Sequence, residues 1–137
     1  MASEINDIFS ISGSALRAQS MRMKIIAENI ANASTTASTA GEMPYKRQVV
    51  SFQKEFDNNI GAYKVRVTGT RPDNSEPIKK YDPSNPIADD KGYVLMPNVN
   101  TLVESVDMGD ANRAYQANLN VIAASRTMVL KTLAILQ

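Results

Sequence analysis

The sequence predicts an α+β fold, with two long terminal α-helices paired as an antiparallel coiled-coil-like hairpin around a small β-rich middle region. Three observations carry that prediction. Towards the C-terminus Met108, Tyr115, Ile122, Val129 and Leu136 recur every seven residues, which keeps them on one stripe of a helix. Towards the N-terminus Ile5, Phe9, Leu16, Met23, Ile26 and Ile30 fall three, four or seven residues apart. Between them Tyr63, Val65 and Val67 alternate with Lys64, Arg66 and Thr68, the period of a half-buried strand. The chain accordingly divides into an N-terminal helix over residues 1–32, a linker with short strands and a proline-rich arm over 33–100, and a C-terminal helix over 101–137.

In the first helix Ser3 is the expected N-cap, and Glu4 and Asp7 oppose the positive end of the helix dipole. Arg17, Arg22 and Lys24 face away from the apolar stripe, which polar Ser12 and Gln19 interrupt. A half-polar helix of this kind is marginal alone in water, because most helix stability comes from packing. The run ASTTASTAG from Ala33 to Gly41 is small, polar and nearly uncharged, so it reads as a linker. Strands are expected at Lys46 to Phe52, Tyr63 to Val67 and Gly92 to Met96. Arg71 to Asp90 contains Pro72, Pro77, Pro83 and Pro86. Each proline fixes φ and removes a donor, which predicts turns or an extended arm without a regular element.

The last helix has a start signature. Thr101 is followed three residues later by Glu104, the spacing of a capping box. Gly109 costs about 1 kcal/mol relative to alanine, and no proline interrupts the run. At 1.5 Å per residue the helix is roughly 50 Å long, more than a chain of this size needs for a compact core.

Composition narrows the chemistry. Fifteen basic and fourteen acidic residues leave a net charge of +1, which argues against a nucleic-acid partner found through bulk electrostatics. The absence of cysteine and histidine removes thiol chemistry, disulfides, the commonest general base and the commonest zinc ligand. Asp82, Asp89 and Asp90 with Ser84 and Asn85 faintly suggest a calcium loop, but the spacing is wrong for an EF-hand and its terminal glutamate is missing. No phosphate-binding loop, dinucleotide fingerprint or nucleophile elbow is present. No catalytic, cofactor-binding or metal-binding residue is therefore expected, and an enzyme is disfavoured. No apolar run is long enough to cross a membrane, and Met1 to Ser20 lacks the layout of a cleaved signal peptide.

The C-terminal helix points to assembly instead. Ala114, Ala117, Ala123, Ala124 and Ala134 permit close approach, while Asn112, Gln116, Asn118 and Asn120 place amides around its girth. Such a surface is neither a clean solvent face nor a core face. The alternative is a soluble helical adaptor or interaction module. A membrane-lying helix would concentrate cations opposite aromatic anchors, and this one has only Arg113, Arg126, Lys131 and one tyrosine.

Specific motifs sharpen this reading. IIAENIANASTTAS at 25–38 followed by YKRQ at 45–48 resembles the N-terminal motif of the flagellar rod and hook proteins. NVNTLVESVDMGDANRAYQANLNVIAASRTMVLKTLAIL at 98–136 resembles their C-terminal helix, and YDPSNPIADDKGYVLMPNVN at 81–100 is similar to the C-type proximal rod branch of that family. One departure is a longer stretch from Ala33 to Met43, with Pro44 before Tyr45 where a glycine is common.

The resemblance covers almost the whole chain and implies a structural subunit of the drive shaft in the bacterial flagellar basal body. It implies export without a cleaved signal peptide by the flagellar type III apparatus, and helical polymerisation in the periplasmic rod with copies of itself and other rod proteins. Inner-membrane ring components are further candidate partners; nucleic acid and direct membrane insertion are not implied. The terminal helices would form an inner layer. The candidate assembly interface comprises stripe residues Ile26, Ile30, Leu119, Ile122, Val129 and Leu133 with motif residues Asn29, Asn32, Asn112, Tyr115 and Asn118.

Overall fold

The computed structural model describes residues 2–39 and 41–135. In chain order these form helix α1 (Ala2–Ala31), strands β1 (Gln48–Asp57), β2 (Ala62–Pro72), β3 (Ile78–Tyr81) and β4 (Tyr93–Met96), and helix α2 (Thr101–Ile135). The class is α+β, with two terminal helices and two small two-stranded sheets, β1–β2 and β3–β4. Helix α1 already begins at Ala2, so Ser3 lies within it. The side chains of Ser3 and Glu4 fall outside the described residues, as does Leu136, the last member of the seven-residue stripe. No helix among the described residues is long and apolar enough to cross a membrane.

The chain separates into two compact units. One gathers α1 through Met23, the hairpin segment Val50–Gly69 and α2 from Gly109 onward; the other holds Lys24–Val49 and Thr70–Met108. The last turns of α1 thus share a unit with the first turns of α2, and the earlier part of α1 with the later part of α2.

In the first unit, β1 and β2 are joined by a tight turn. Asp57 Oδ1 accepts from the Asn59 N–H at 2.9 Å, and Gly61 supplies the left-handed φ of 62° that the turn requires. One face of the ribbon carries charge pairs, Lys64 with Asp57 at 2.5 Å and Arg66 with Glu55 at 3.4 Å. The other carries Phe56 edge-on to Tyr63, with ring centroids 5.1 Å apart. Helix α1 meets the ribbon at its edge, where the Val65 N–H donates to Ser14 Oγ at 3.2 Å. This corrects one expectation. Of the Tyr63, Val65 and Val67 stripe only Val67 is half-buried, while Tyr63 is 57% and Val65 40% exposed. A helix that seals an edge leaves the faces of a two-stranded ribbon open.

In the second unit, β3 and β4 pair antiparallel in the register Ile78↔Met96 to Tyr81↔Tyr93. The Tyr81 and Tyr93 rings meet edge-to-face at 5.3 Å. Gly92 is required here, since its φ is 80° and a Cβ would lie 3.0 Å from the Tyr81 ring. Strand β3 sits inside the arm that the prolines predicted to be irregular. Pro77 precedes it and Pro83 follows it, so no proline interrupts the ladder. The arm's carboxylates serve its turns. Asp82 accepts from the Ser84 hydroxyl, and Asp89 accepts from the N–H groups of Lys91 and Tyr93. Val94, Pro97 and Val99 are buried in this unit.

Candidate assembly interface

The second unit is closed by a polar cluster. Asn29, in the last turns of α1, is 1% exposed, and its amide is fully used. Its Nδ2 donates to the Gln48 carbonyl at 2.8 Å and to Glu104 Oε2 at 3.0 Å. Its Oδ1 accepts from the Gln48 N–H and from the Tyr45 hydroxyl. An asparagine offers two donors and two acceptor sites, so no capacity is left over. Burial, then the carboxylates of Glu28 and Glu104, push the Tyr45 hydroxyl above its ordinary value, which keeps it protonated and able to donate.

Glu104 is the partner that ties the helices together. It is 1% exposed, and its Oε1 receives Arg47 Nε at 2.6 Å. The same guanidinium lies 3.5 Å from Asp73 and 3.7 Å from Asp107. Asn98 fixes the backbone around it. Its Oδ1 accepts from the Arg47 N–H at 2.8 Å, and its Nδ2 donates to the Asp73 and Ser75 carbonyls. An ion pair taken out of water repays its desolvation only when its remaining donors and acceptors are satisfied. Here both carboxylate oxygens of Glu104 have donors.

The position of Glu104 overturns the expected capping box. The α2 cap is Asn100, whose Oδ1 accepts from the N–H groups of Leu102 at 3.0 Å and Val103 at 3.3 Å. Thr101 is the first helical residue. Glu104 turns inward, away from the helix entrance, because Arg47 offers it a charged donor, stronger than a free backbone N–H, and Asn29 supplies a second donor beside it.

Along α2 the inward positions alternate by four and three residues: Glu104, Met108, Ala111, Tyr115, Asn118, Ile122, Ser125, Val129 and Thr132 are each buried or half-buried. This is the spacing of a coiled-coil seam. The seven-residue apolar row expected from sequence is one half of it. The other half is small or polar, with Ala111 and Ser125 buried. Much of the helix's apolar bulk is left in water. Leu102, Val103, Val106, Val121, Met128, Leu130, Leu133 and Ile135 are all exposed. An apolar surface of that extent on one helix is unusual for a chain that stays alone in water.

Comparison with known proteins gives the family. The family model "Flagella basal body rod protein" matches residues 9–37, and "Flagellar basal body rod FlgEFG protein C-terminal" matches residues 90–135. The chain is 46% identical to the flagellar basal-body rod protein FlgC of Agrobacterium fabrum over 127 residues, covering 93% of this chain and 91% of that protein. It is 41% identical to FlgC of Escherichia coli, covering 93% and 94%. Against FlgC of Borreliella burgdorferi the identity is 40%, covering 93% and 95%. The chain belongs to the flagellar basal-body rod protein family.

In this rod protein the residues singled out from sequence fall into distinct settings. Ile26 and Asn29 are buried, and Ile30 is half-buried. Asn32 closes the end of α1, its Nδ2 donating to the Glu28 carbonyl at 2.8 Å and its Oδ1 accepting from Thr35. Tyr115, Asn118, Leu119, Ile122 and Val129 are half-buried, whereas Asn112 and Leu133 are exposed. Asn118 donates back to the Ala114 carbonyl of its own helix. Sequence reasoning missed Tyr45, Arg47, Asn98 and the inward role of Glu104. One signal was available, a lone carboxylate at a seam position of a helix whose other seam residues are uncharged.

Proposed function

We propose that this chain is a structural subunit of the proximal rod of the bacterial flagellar basal body, polymerising through its terminal helices into the shaft that transmits motor torque. The observation that carries the reading is the exposed apolar surface of α2, from Leu102 to Ile135, on a subunit whose polar cluster around Glu104 is already satisfied. Family membership gives that surface its natural occupants, other copies of the chain and other rod proteins. The work is mechanical, and the reading assigns no catalytic, cofactor or metal residue.

Further parts of the proposal concern the route and the site. The subunit resides in the periplasmic part of the basal body and reaches it through the flagellar export apparatus without cleavage. Contact with inner-membrane ring components belongs to the same proposal. The test is a strain lacking the gene, complemented with the chain. Purified basal bodies should contain the uncleaved chain, and cells without it should be non-motile with no rod beyond its position. Normal rods in the deletion strain would reject the reading. Removing residues 2–12 should retain the chain in the cytoplasm, and its ordinary arrival in basal bodies would reject the export route alone.

A further inference from the structure

The β1–β2 ribbon presents an aromatic face that its own unit leaves open. Phe52, Phe56, Tyr63 and Val65 are each at least 40% exposed, and Lys54 Nζ sits over the Tyr63 ring, 5.2 Å from its centroid. The opposite face is a ladder of charge pairs, Lys64 with Asp57 and Arg66 with Glu55, suited to water. A ribbon with a solvated face and an open aromatic face carrying one cation calls for an apolar partner that brings a carboxylate.

Helix α2 offers two outward apolar stretches, and charge separates them. From Thr101 to Asn112 its charged residues are Glu104, Asp107 and Asp110, with no cation; from Arg113 to Ile135 they are Arg113, Arg126 and Lys131, with no carboxylate. The later stretch would set Lys54 against like charge. The earlier one exposes Leu102, Val103 and Val106, with the half-exposed Asp110 one turn beyond Val106. Asp110 also pairs with Arg113 on its own helix.

We infer that the aromatic face of the β1–β2 ribbon in one subunit docks onto the Leu102–Val106 face of α2 in a second copy of the chain, with Lys54 directed at Asp110. This inference rests on the assembly reading above and adds which surfaces meet. The two patches differ, so the contact is heterologous. Such contacts extend into open helical arrays when the rotation does not close a ring. Placing Lys54 and Tyr63 against Asp110 and Val106 leaves Phe56, which packs on Tyr63 on the turn side of Lys54, to meet Leu102.

Disulfide trapping tests it cleanly, because the chain has no cysteine of its own. Basal bodies are isolated from cells carrying Tyr63→Cys together with Val106→Cys and mildly oxidised. The expected result is a band at twice the chain mass of 15.0 kDa that neither single variant gives. Phe56→Cys with Leu102→Cys should give the same band and serves as the second readout if the first pair enters rods poorly. Lys54→Glu should lower the yield severalfold, and adding Asp110→Lys should restore it. A band from Tyr63→Cys with Leu130→Cys in place of either pair would move the dock to the basic half of α2 and overturn the inference. Rods that contain the variants but give no band would overturn it too, leaving the assembly reading intact. Absence of the unaltered chain from rods would instead remove the assembly reading itself.

Discussion

The polar cluster around Glu104 and the outer surface of α2 treat the same helix in opposite ways. Around Glu104 the chain buries charge and amide groups and satisfies them within the subunit. On the outer surface it leaves valines, leucines and methionine in water. Hydrophobic area is non-directional and would favour many helix registers, whereas a four-bonded asparagine beside an ion pair accepts one geometry. The polar contacts specify how the subunit closes on itself, and the apolar area is kept for what the subunit joins.

The largest way to break that contrast is Arg47→Ala. It strands the Glu104 carboxylate in a buried site, and losing one partner of a buried pair costs about 3–5 kcal/mol. Urea unfolding of the purified chain should show it. A loss below about 1 kcal/mol would mean the cluster does not close the subunit. Replacing both partners, Arg47→Met with Glu104→Leu, should lose far less than the two single changes summed, because no fully buried carboxylate is then left alone. Asn29→Ala should cost about 2 kcal/mol by leaving the Gln48 backbone groups and Tyr45 without their partner.

Smaller effects sharpen the cap assignment. Asn100→Ala should cost about 1 kcal/mol, and Thr101→Ala close to nothing. The reverse order would restore the capping box that the structure displaces. The smallest effect is a pH dependence at Asp73. Its carboxyl is held below its ordinary value first by the Ser75 N–H and hydroxyl, and then by Arg47. A depressed folded value adds stability that is present above the ordinary carboxylate range and is lost as pH falls through the folded value. Asp73→Asn should flatten the acid limb of the stability profile slightly, and an unchanged limb would show that the pairing contributes nothing.

Periodicity made much of this fold legible. The seven-residue row from Met108 to Val129 marked α2, and alternation marked β2, because both signals are local. The cluster was not legible, since its members are far apart along the chain. Arg47 reaches Glu104 across 57 positions and Asn98 across 51, and no spacing rule links them. Glu104 was misread because its distance from Thr101 fits a cap as well as a seam. Strand β3 was hidden by the prolines that flank it, and the exposure of Tyr63 and Val65 by the fact that α1 seals only the ribbon's edge.

The most direct test of the central contrast is Leu130→Asp. Leu130 is 58% exposed in the subunit, so the change should leave the urea midpoint of the purified chain essentially unmoved. In an assembled shaft the same position would take a charge out of water. The account predicts a stable, normally expressed variant that is missing from purified basal bodies and leaves cells non-motile. Complete, rotating flagella built from Leu130→Asp subunits would contradict it.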